Sequence, residues 1–205
     1  MQVRKYESRE EWLADRPGRI TGTGLDDIVT HKGSSVKLGV YQLIADKLVL
    51  ADGTVDGRDR GNDLEEEAIA KLGEELGIDF ITDLEMWISD ESEAIAFSPD
   101  GHSEDYTICA EAKCLGSALH VEAIITHDIP AKYKTKFKLQ KIQAFITNEK
   151  LQKHYTAFYD PRISAMPLFY IETTREELED DIKFYLDYER NTLAFVDKWV
   201  QELTF

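Results

Sequence analysis

Positive charge is scarce in this sequence of 205 residues. Lysine and arginine together number 24 against 40 aspartates and glutamates, which gives a formal net charge of −16 at pH 7. This balance is unfavourable for a protein that binds nucleic acid, because contacts with phosphate groups normally require lysine and arginine. Any such binding must therefore rely on a local concentration of basic side chains.

The charges are segregated along the chain. Acidic residues are concentrated at 63–75, 83–93 and 172–189. Basic residues form two groups, with Arg4, Lys5, Arg9, Arg16 and Arg19 in one and Lys132, Lys134, Lys136, Lys138 and Lys141 in the other. We expect an acidic outer surface and a separate basic surface that can follow a nucleic acid. The alternative for the acidic patches is that they serve solubility alone.

Cysteine and long apolar runs are also scarce. Cys109 and Cys114 are the only two cysteines and are predicted to lie on opposite faces of one strand, so no disulfide between them is expected. Two cysteines alone cannot hold an iron–sulfur cluster. No apolar run approaches the ~20 residues of a membrane span, and the first residues lack the apolar core of a signal peptide. We therefore expect a protein of the reducing cytoplasm without membrane contact.

Hydrophobic periodicity and capping signals predict a single mixed α/β domain over 1–205. Helices are predicted at 8–15, 25–30, 36–48, 62–76, 116–125, 130–147 and 175–203. Strands are predicted at 85–89, 94–98, 107–114, 153–159 and 168–172. This order places N-terminal helices at 8–76, a mixed central sheet with its helices at 80–173, and a C-terminal helix at 175–203.

The segment 97–114 carries the clearest chemical signal. A turn with Pro99 and Asp100 follows one predicted strand, and Glu111 and Lys113 lie on the next. Residues two apart in a strand share a face, so Glu111 and Lys113 point the same way, with Asp100 close by. Two convergent carboxylates bind a hard divalent cation, and a lysine beside them can orient or deprotonate a water molecule.

The same short pattern also occurs in a solvated hairpin with an exposed Glu–Lys pair. The surrounding strands argue against that interpretation, because they are apolar at 86–88, 94–97 and 107–110. Charged side chains within an otherwise buried strand are costly unless they are paired or bind a metal.

Further positions have both a structural and a chemical interpretation. Glu65 lies in the first turn of a predicted helix, where the helix dipole favours acids, yet it can also approach the sheet. Gln143 lies at an apolar helix edge, three residues after Gln140, and can bond either a backbone group or a reacting phosphate. Arg16 and Thr23 flank a glycine-containing turn before a helix, which is a nonspecific but suitable phosphate pocket.

These segments together resemble the lambda-type alkaline exonucleases, which are the YqaJ-like viral recombinase family of the PD-(D/E)XK nucleases. The resemblance covers most of the chain. The motifs that carry it, in order, are Trp12 with Arg16, Gly18, Ile20 and Thr21, then 61–68, 98–101, 111–114, Gln143 and 159–162. The resemblance implies a restriction-endonuclease-like core, with a mixed central sheet flanked by helices.

The resemblance also implies an activity. Such enzymes are 5′→3′ exonucleases that degrade one strand of double-stranded DNA processively from 5′-phosphorylated ends. They leave a 3′ overhang for a single-strand annealing protein and form homotrimeric rings through which the DNA passes. Two Mg²⁺ ions per site are expected, with Mn²⁺ as a possible substitute. The expected setting is a phage or prophage protein in the bacterial cytoplasm.

The resemblance assigns roles to residues by position. The expected metal ligands are Asp100, Glu111 and the Ala112 carbonyl; the groups that activate or support the water are Lys113, Glu65 and Gln143; and the 5′-phosphate is held by Arg16, Thr23 and Ser98. Thr23 stands where a serine is usual, and its hydroxyl can keep the role. His102 stands where an apolar residue is usual, and no role for it is predicted.

Two other functions remain open at this point. The first is an endonuclease of the same fold, which would cut a covalently closed circle. The second is a non-catalytic acidic adaptor or DNA mimic that binds a basic partner, for which Asp100, Glu111 and Lys113 would be replaceable. The acidic turn at Glu104 and Asp105 also offers an alternative ligand for a second metal ion.

Overall fold

The computed structural model describes residues 1–29, 62–115 and 117–204, and the strands in these ranges form two sheets. The first sheet has the order β1 (Gln2–Lys5), β2 (Glu85–Ile88) and β3 (Ala96–Phe97), and the second has the order β4 (Gly101–His102), β5 (Ile108–Lys113), β6 (Lys153–Tyr159) and β7 (Leu168–Thr174). The first sheet is antiparallel. The second sheet is mixed, because β5 and β6 are parallel while β4 and β7 run antiparallel to their neighbours.

Helices flank the two sheets. They are α1 (Arg9–Ala14), α2 (Gly24–Ile28), α3 (Asn62–Leu76), α4 (Ser117–Thr126), α5 (Lys134–Thr147) and α6 (Glu179–Leu203), with short 3₁₀ turns at Ala131–Tyr133 and Glu176–Leu178. The mixed α/β fold expected from the sequence is confirmed. The helix predicted at 36–48 lies outside the described residues. None of the helices in the described ranges is long and apolar enough to cross a membrane.

Two strands are absent from the predicted set. β1 is short and polar, and it is recognisable only through its pairing with distant residues, such as Val3 with Trp87. β4 contains two residues and pairs with β5 through Gly101 with Ala110 and His102 with Cys109. Short strands carry too little periodicity for a sequence pattern to reveal, so a long-range partner has to define them. As a consequence, the chain changes sheets between β3 and β4, at Asp100.

α3 covers one face of the second sheet. Apolar side chains of this helix at 68–72 pack against Ala110 and Ala112 of β5. Because side chains alternate along a strand, the same register turns Glu111 and Lys113 to the opposite face, where α5 lies. The helix ends at Gly77, whose φ of +65° is a left-handed conformation that favours glycine. The sequence pattern predicted this helix and its end.

A buried carboxyl group lies in the interface between α5 and α6. Glu189 of α6 is fully buried, both of its carboxyl oxygens lack a hydrogen-bond partner in the described structure, and burial raises its pKa to about 8. Gln143 of α5 donates through Nε2 to the carbonyl oxygens of Ile20 and Ala96, at 3.1 and 3.5 Å. Its Oε1 is buried without a hydrogen-bond partner in the described structure. A neutral Glu189 can supply the missing donor.

The substitution Glu189→Gln is expected to protect the fold at alkaline pH. The pKa of Glu189 is higher in the folded protein than in the unfolded chain, so its contribution to stability is complete below about pH 4.5 and is lost as the pH rises through about 8. Glutamine stays neutral, so the variant should gain roughly 3–5 kcal/mol relative to wild type between pH 5 and pH 9.5. Urea unfolding at both pH values measures this difference. Parallel pH dependence in the two proteins would contradict it.

Candidate active site

A cleft of about 560 Å³ opens where the chain passes from the first sheet to the second. Both sheets and three helices contribute to its walls. The lining includes Arg9 and Trp12 of α1, Glu65 and Glu66 of α3, Gln140 of α5, Glu85 and Phe97 of the first sheet, and Glu111, Ala112 and Lys113 of the second, together with Thr21, Gly22, Thr23, Ser98, Pro99 and Asp100 from connecting segments. All of the predicted site residues except Gln143 line this cleft.

Asp100, Glu111 and Lys113 form the acidic centre of the cleft. The backbone N–H of Asp100 donates to the Ala110 carbonyl at 3.2 Å, which continues the β4–β5 ladder to the residue before β4. Oδ2 of Asp100 in turn accepts a hydrogen bond of 2.8 Å from the Ala112 N–H. Lys113 Nζ lies 2.6 Å from Glu111 Oε2. The spacing of Glu-x-Lys on one strand therefore brings the three groups together as predicted.

Burial and like charge govern the protonation of this centre. Burial raises the pKa of Asp100 well above its usual range, and the neighbouring Glu111 carboxylate raises it further. Burial opposes the charge of Lys113, yet Glu111 and Asp100 together outweigh that effect and raise the pKa of the lysine. Glu65, at the start of α3, has a pKa raised by burial and by Glu111, with Lys113 acting in the opposite direction. The cleft is thus a site of excess negative charge that attracts cations.

The other half of the cleft is suited to an anion. Arg16 donates from Nη2 to Thr21 Oγ1 at 3.3 Å, and the hydroxyl oxygens of Thr21 and Thr23 lie 3.5 Å apart. Ser98 Oγ accepts a hydrogen bond of 3.0 Å from Trp12 Nε1. A guanidinium group and several hydroxyls on one wall are the groups that bind a phosphate. Arg16, Thr23 and Ser98 are therefore brought together, as the sequence suggested.

Trp12 has a role in this wall that the sequence did not assign. Its indole ring lies under the Arg16 guanidinium, whose central carbon is 4.3 Å from the ring centroid. Arg9 lies over the same ring at 5.4 Å. These contacts, with the hydrogen bond to Ser98, fix the orientation of Arg16. The spacing of tryptophan and arginine by four residues was the available signal, because such a spacing brings side chains together near a helix.

The donor set fits a hard divalent cation. Asp100 and Glu111 supply carboxylate oxygens and Ala112 a carbonyl, which are the ligands that Mg²⁺ prefers. The pKa of Asp100, raised by burial and by Glu111, reflects repulsion that a bound cation would relieve. Within 1–29, 62–115 and 117–204, no three His, Cys, Asp or Glu side chains are grouped to hold a metal. A cation here would therefore rely on two carboxylates, the backbone and water.

Residues 11–154 match the model of the YqaJ-like viral recombinase domain, which is more than half of the chain. The protein belongs to this family. The membership agrees with the resemblance found in the sequence motifs, and the matched residues include every residue that lines the cleft except Arg9. A search of curated protein sequences found no match.

Solved structures share the fold of this YqaJ-like chain. The alkaline exonuclease LHK-Exo from Laribacter hongkongensis has a TM-score of 0.77 and 23% identity, with 95% of this chain and 96% of that chain covered. Its complex with dAMP has a TM-score of 0.76, 23% identity and 95% coverage of both chains. A phage-related exonuclease from Haemophilus somnus 129PT has a TM-score of 0.65 and 16% identity, covering 90% and 96%. These similarities establish the PD-(D/E)XK type of fold.

The expectation for Gln143 is not met by the geometry of this YqaJ-like site. Gln143 is buried behind the cleft, where it bonds the Ile20 and Ala96 carbonyls. The glutamine that reaches the acidic centre is Gln140, whose Nε2 lies 3.5 Å from Glu111 Oε2. The two residues are one helical turn apart on α5, and only the position of that helix over the sheet decides which of them meets β5. The sequence placed both on one side of the helix but could not fix this position.

The two glutamines should therefore respond differently to substitution by leucine. Gln143→Leu removes the donor to two buried carbonyls and should cost about 1–3 kcal/mol of unfolding free energy. Gln140→Leu removes a long contact at the cleft wall and should cost less than about 1 kcal/mol. Urea denaturation of both variants at pH 7 measures the difference. A larger loss for Gln140→Leu would contradict the assignment.

Proposed function

We propose that this protein is a Mg²⁺-dependent 5′→3′ exonuclease that degrades one strand of double-stranded DNA and leaves a 3′ overhang. The observation that carries the proposal is that one cleft contains both the acidic centre and the wall of Arg16, Thr21, Thr23 and Ser98, which we call the phosphate-binding wall. The acidic centre is suited to hydrolysis of a phosphodiester, and the wall is suited to a terminal 5′-phosphate. Membership of the YqaJ-like family and the fold shared with alkaline exonucleases support it.

Asp100, Glu111 and the Ala112 carbonyl would hold up to two Mg²⁺ ions, and Mn²⁺ is a possible substitute. Bound there, such ions supply Lewis-acid stabilisation of the charge that develops on the phosphate. Lys113 extends from the same strand face and lies against Glu111, so it is positioned to orient the attacking water and, as an ammonium group, to favour its deprotonation through its charge. Glu65 carries a raised pKa, which allows it to hold or release a proton beside Lys113.

The phosphate-binding wall would explain why the enzyme begins at the 5′ end of a DNA strand. Arg16, Thr23 and Ser98 would bind a 5′-phosphate and thereby fix which phosphodiester lies at the acidic centre. Trp12 would keep Arg16 in place through the ring contact and the hydrogen bond to Ser98. The fold relative LHK-Exo binds dAMP, and a mononucleotide is the product expected of such an enzyme. Degradation would then proceed one nucleotide at a time.

The charge distribution fits a basic path for DNA within an acidic protein. Lys132, Lys134 and Lys138 are exposed around the start of α5, the helix whose Phe137 ring lies 5.1 Å from Lys113 Nζ. We propose that a homotrimeric ring lines its channel with these lysines, so that threaded DNA makes digestion processive. An annealing protein would take up the overhang, in the cytoplasm of a bacterium that carries the phage or prophage.

The decisive experiment uses linear duplex DNA with one 5′ end phosphorylated and the other not, in Mg²⁺, beside a closed circle. We expect digestion of the strand that carries the 5′-phosphate and no cleavage of the circle. Lys113→Ala should lower the rate by about 10²-fold or more, because the water loses its orienting group. Lys198→Ala, which changes an exposed lysine of α6, serves as the matched control and should leave the rate unchanged.

The other outcomes decide between the remaining functions. A cut circle would indicate an endonuclease of the same fold. Absence of Mg²⁺-dependent cleavage, or cleavage unaffected by Lys113→Ala, would indicate a non-catalytic acidic adaptor or DNA mimic. Gel analysis of the linear strands, labelled separately at their 3′ ends, and of the change in mobility of the circle on cutting distinguishes all of these results.

Metal binding should release protons and strengthen as the pH rises. The pKa of Asp100 is raised by burial and by Glu111, so a cation that binds there competes with a proton. Titration calorimetry with Mn²⁺ at pH 6 and pH 8, in two buffers of different ionisation enthalpy, measures both effects. Asp100→Asn should abolish the proton release and weaken binding. Equal affinity at the two pH values, with no proton release, would show that Asp100 is already ionised.

A further inference from the structure

His102 is a buried polar residue for which the proposed mechanism has no use. It belongs to β4, two residues after Asp100, and is 1% exposed. Its Nε2 lies 3.1 Å from Glu85 Oε2 of β2, and its Nδ1 lies 2.8 Å from the Ser103 carbonyl oxygen. The ring also stacks on Tyr106, with 4.6 Å between the ring centroids. The side chain is therefore fixed on several sides.

Glu85 connects this histidine to the first sheet. Its side chain is fully buried, and its second oxygen lies 3.0 Å from Lys5 Nζ on β1. Lys5 itself is largely exposed and also contacts Asp83. A line of polar side chains thus runs from β1 through β2 to β4 and joins the two sheets. We call Lys5, Glu85 and His102 the inter-sheet triad.

Two side chains face the buried Glu85 carboxylate. His102 Nε2 lies 3.1 Å from one carboxylate oxygen, from within the protein, and Lys5 Nζ lies 3.0 Å from the other, from the solvent side. A buried carboxylate is costly unless polar partners surround it. Removing the histidine leaves Glu85 with a single partner that is mobile and hydrated.

The position of β4 makes this pairing relevant to the cleft. β4 has two residues, so few backbone hydrogen bonds hold it: its ladder to β5 and a bridge between His102 and Ile81, with N···O distances of 2.8 and 3.0 Å. Asp100 directly precedes β4, and its carboxylate must face Glu111 to share a cation. A shift of a fraction of an ångström in such a ligand is enough to weaken binding.

We propose that His102 is a positioning residue that, through Glu85, holds β4 in the place where Asp100 and Glu111 can bind one divalent cation. The inference rests on the proposed function, because it assumes that these carboxylates hold a metal. Residues that orient metal ligands without touching the metal commonly change its affinity by about 10–100-fold. A merely structural role would change stability and leave metal affinity unchanged.

The test measures Mn²⁺ binding to the full chain by titration calorimetry, with thermal unfolding in EDTA as the measure of fold stability. His102→Leu should weaken Mn²⁺ binding by about tenfold or more. His102→Gln should recover most of the affinity, because the amide nitrogen of glutamine can replace Nε2 as donor to Glu85. His127→Asn, at an exposed position with a φ of 51°, is the matched control and should bind as wild type does. In steady-state digestion, His102→Leu should lower kcat and leave KM for DNA unchanged.

Each result has a definite meaning. Mn²⁺ affinity within twofold of wild type in folded His102→Leu would overturn the inference and leave the proposed function intact. If His102→Leu does not fold, His102→Gln and Glu85→Gln decide: wild-type affinity in Glu85→Gln, which removes the charge that orients His102, would overturn the inference equally. Failure of the wild-type protein to bind Mn²⁺ would overturn the proposed function and the inference together.

Discussion

The burial of two carboxylates and a lysine on one edge of the second sheet is the constraint on which the rest of the structure depends. Asp100 and Glu111 raise each other's energy when ionised, and burial adds to that cost. Lys113 offsets part of it through its 2.6 Å contact with Glu111. The remaining excess of negative charge has no purpose in a core that serves stability alone. The arrangement is instead suited to a cation that brings its charge with it.

The alternation of side chains along β5 explains how the fold accommodates the charged centre formed by Asp100, Glu111 and Lys113. One face of the strand presents alanines, Ala110 and Ala112, which allow α3 to pack closely. The opposite face presents Glu111 and Lys113 beneath the start of α5. Gly101 also allows α3 to pack closely, because a Cβ at this position would lie 2.8 Å from a side-chain carbon of Ile69. Because successive side chains of a strand point to opposite faces, apolar packing occupies one face of β5 and the charged groups occupy the other.

The sequence predicted the parts of the fold that local patterns encode. The helix of 62–76 and the strand that carries Glu111 and Lys113 follow from periodicity and capping. The grouping of Arg16, Thr23 and Ser98 was implied by the resemblance to the exonuclease family. What the sequence could not supply was the placement of elements relative to each other. The choice between Gln140 and Gln143 depends on how α5 lies over the sheet, and β4 exists only through its long-range partners.

Burial makes one of the basic residues inaccessible to a nucleic acid. Lys141 was counted in the basic group of the sequence, yet it is buried and donates to Thr173 Oγ1 at 3.0 Å, and burial lowers its pKa. Lys134 and Lys138 are exposed but paired with Asp128 and Asp181. A count of charges in a sequence therefore overstates the positive surface that a nucleic acid would meet. These pairs would have to open, or be shared, when a phosphate approaches.

The two halves of the cleft adjoin different sheets. Thr21 and Thr23 follow Ile20, which forms a bridge with Ile95 beside the first sheet, whereas Glu111 belongs to β5 and Asp100 directly precedes β4. In the proposed function, the distance between a bound 5′-phosphate and the reacting phosphodiester would therefore depend on contacts between the sheets rather than within one of them. Gln143 ties the Ile20 segment to α5, and the inter-sheet triad ties β2 to β4. Apolar packing alone tolerates sliding between layers, but directional hydrogen bonds and ion pairs do not. In the proposed function, the buried polar groups at these junctions would fix the distance between the two halves of the cleft, and with it the length of each step along the DNA.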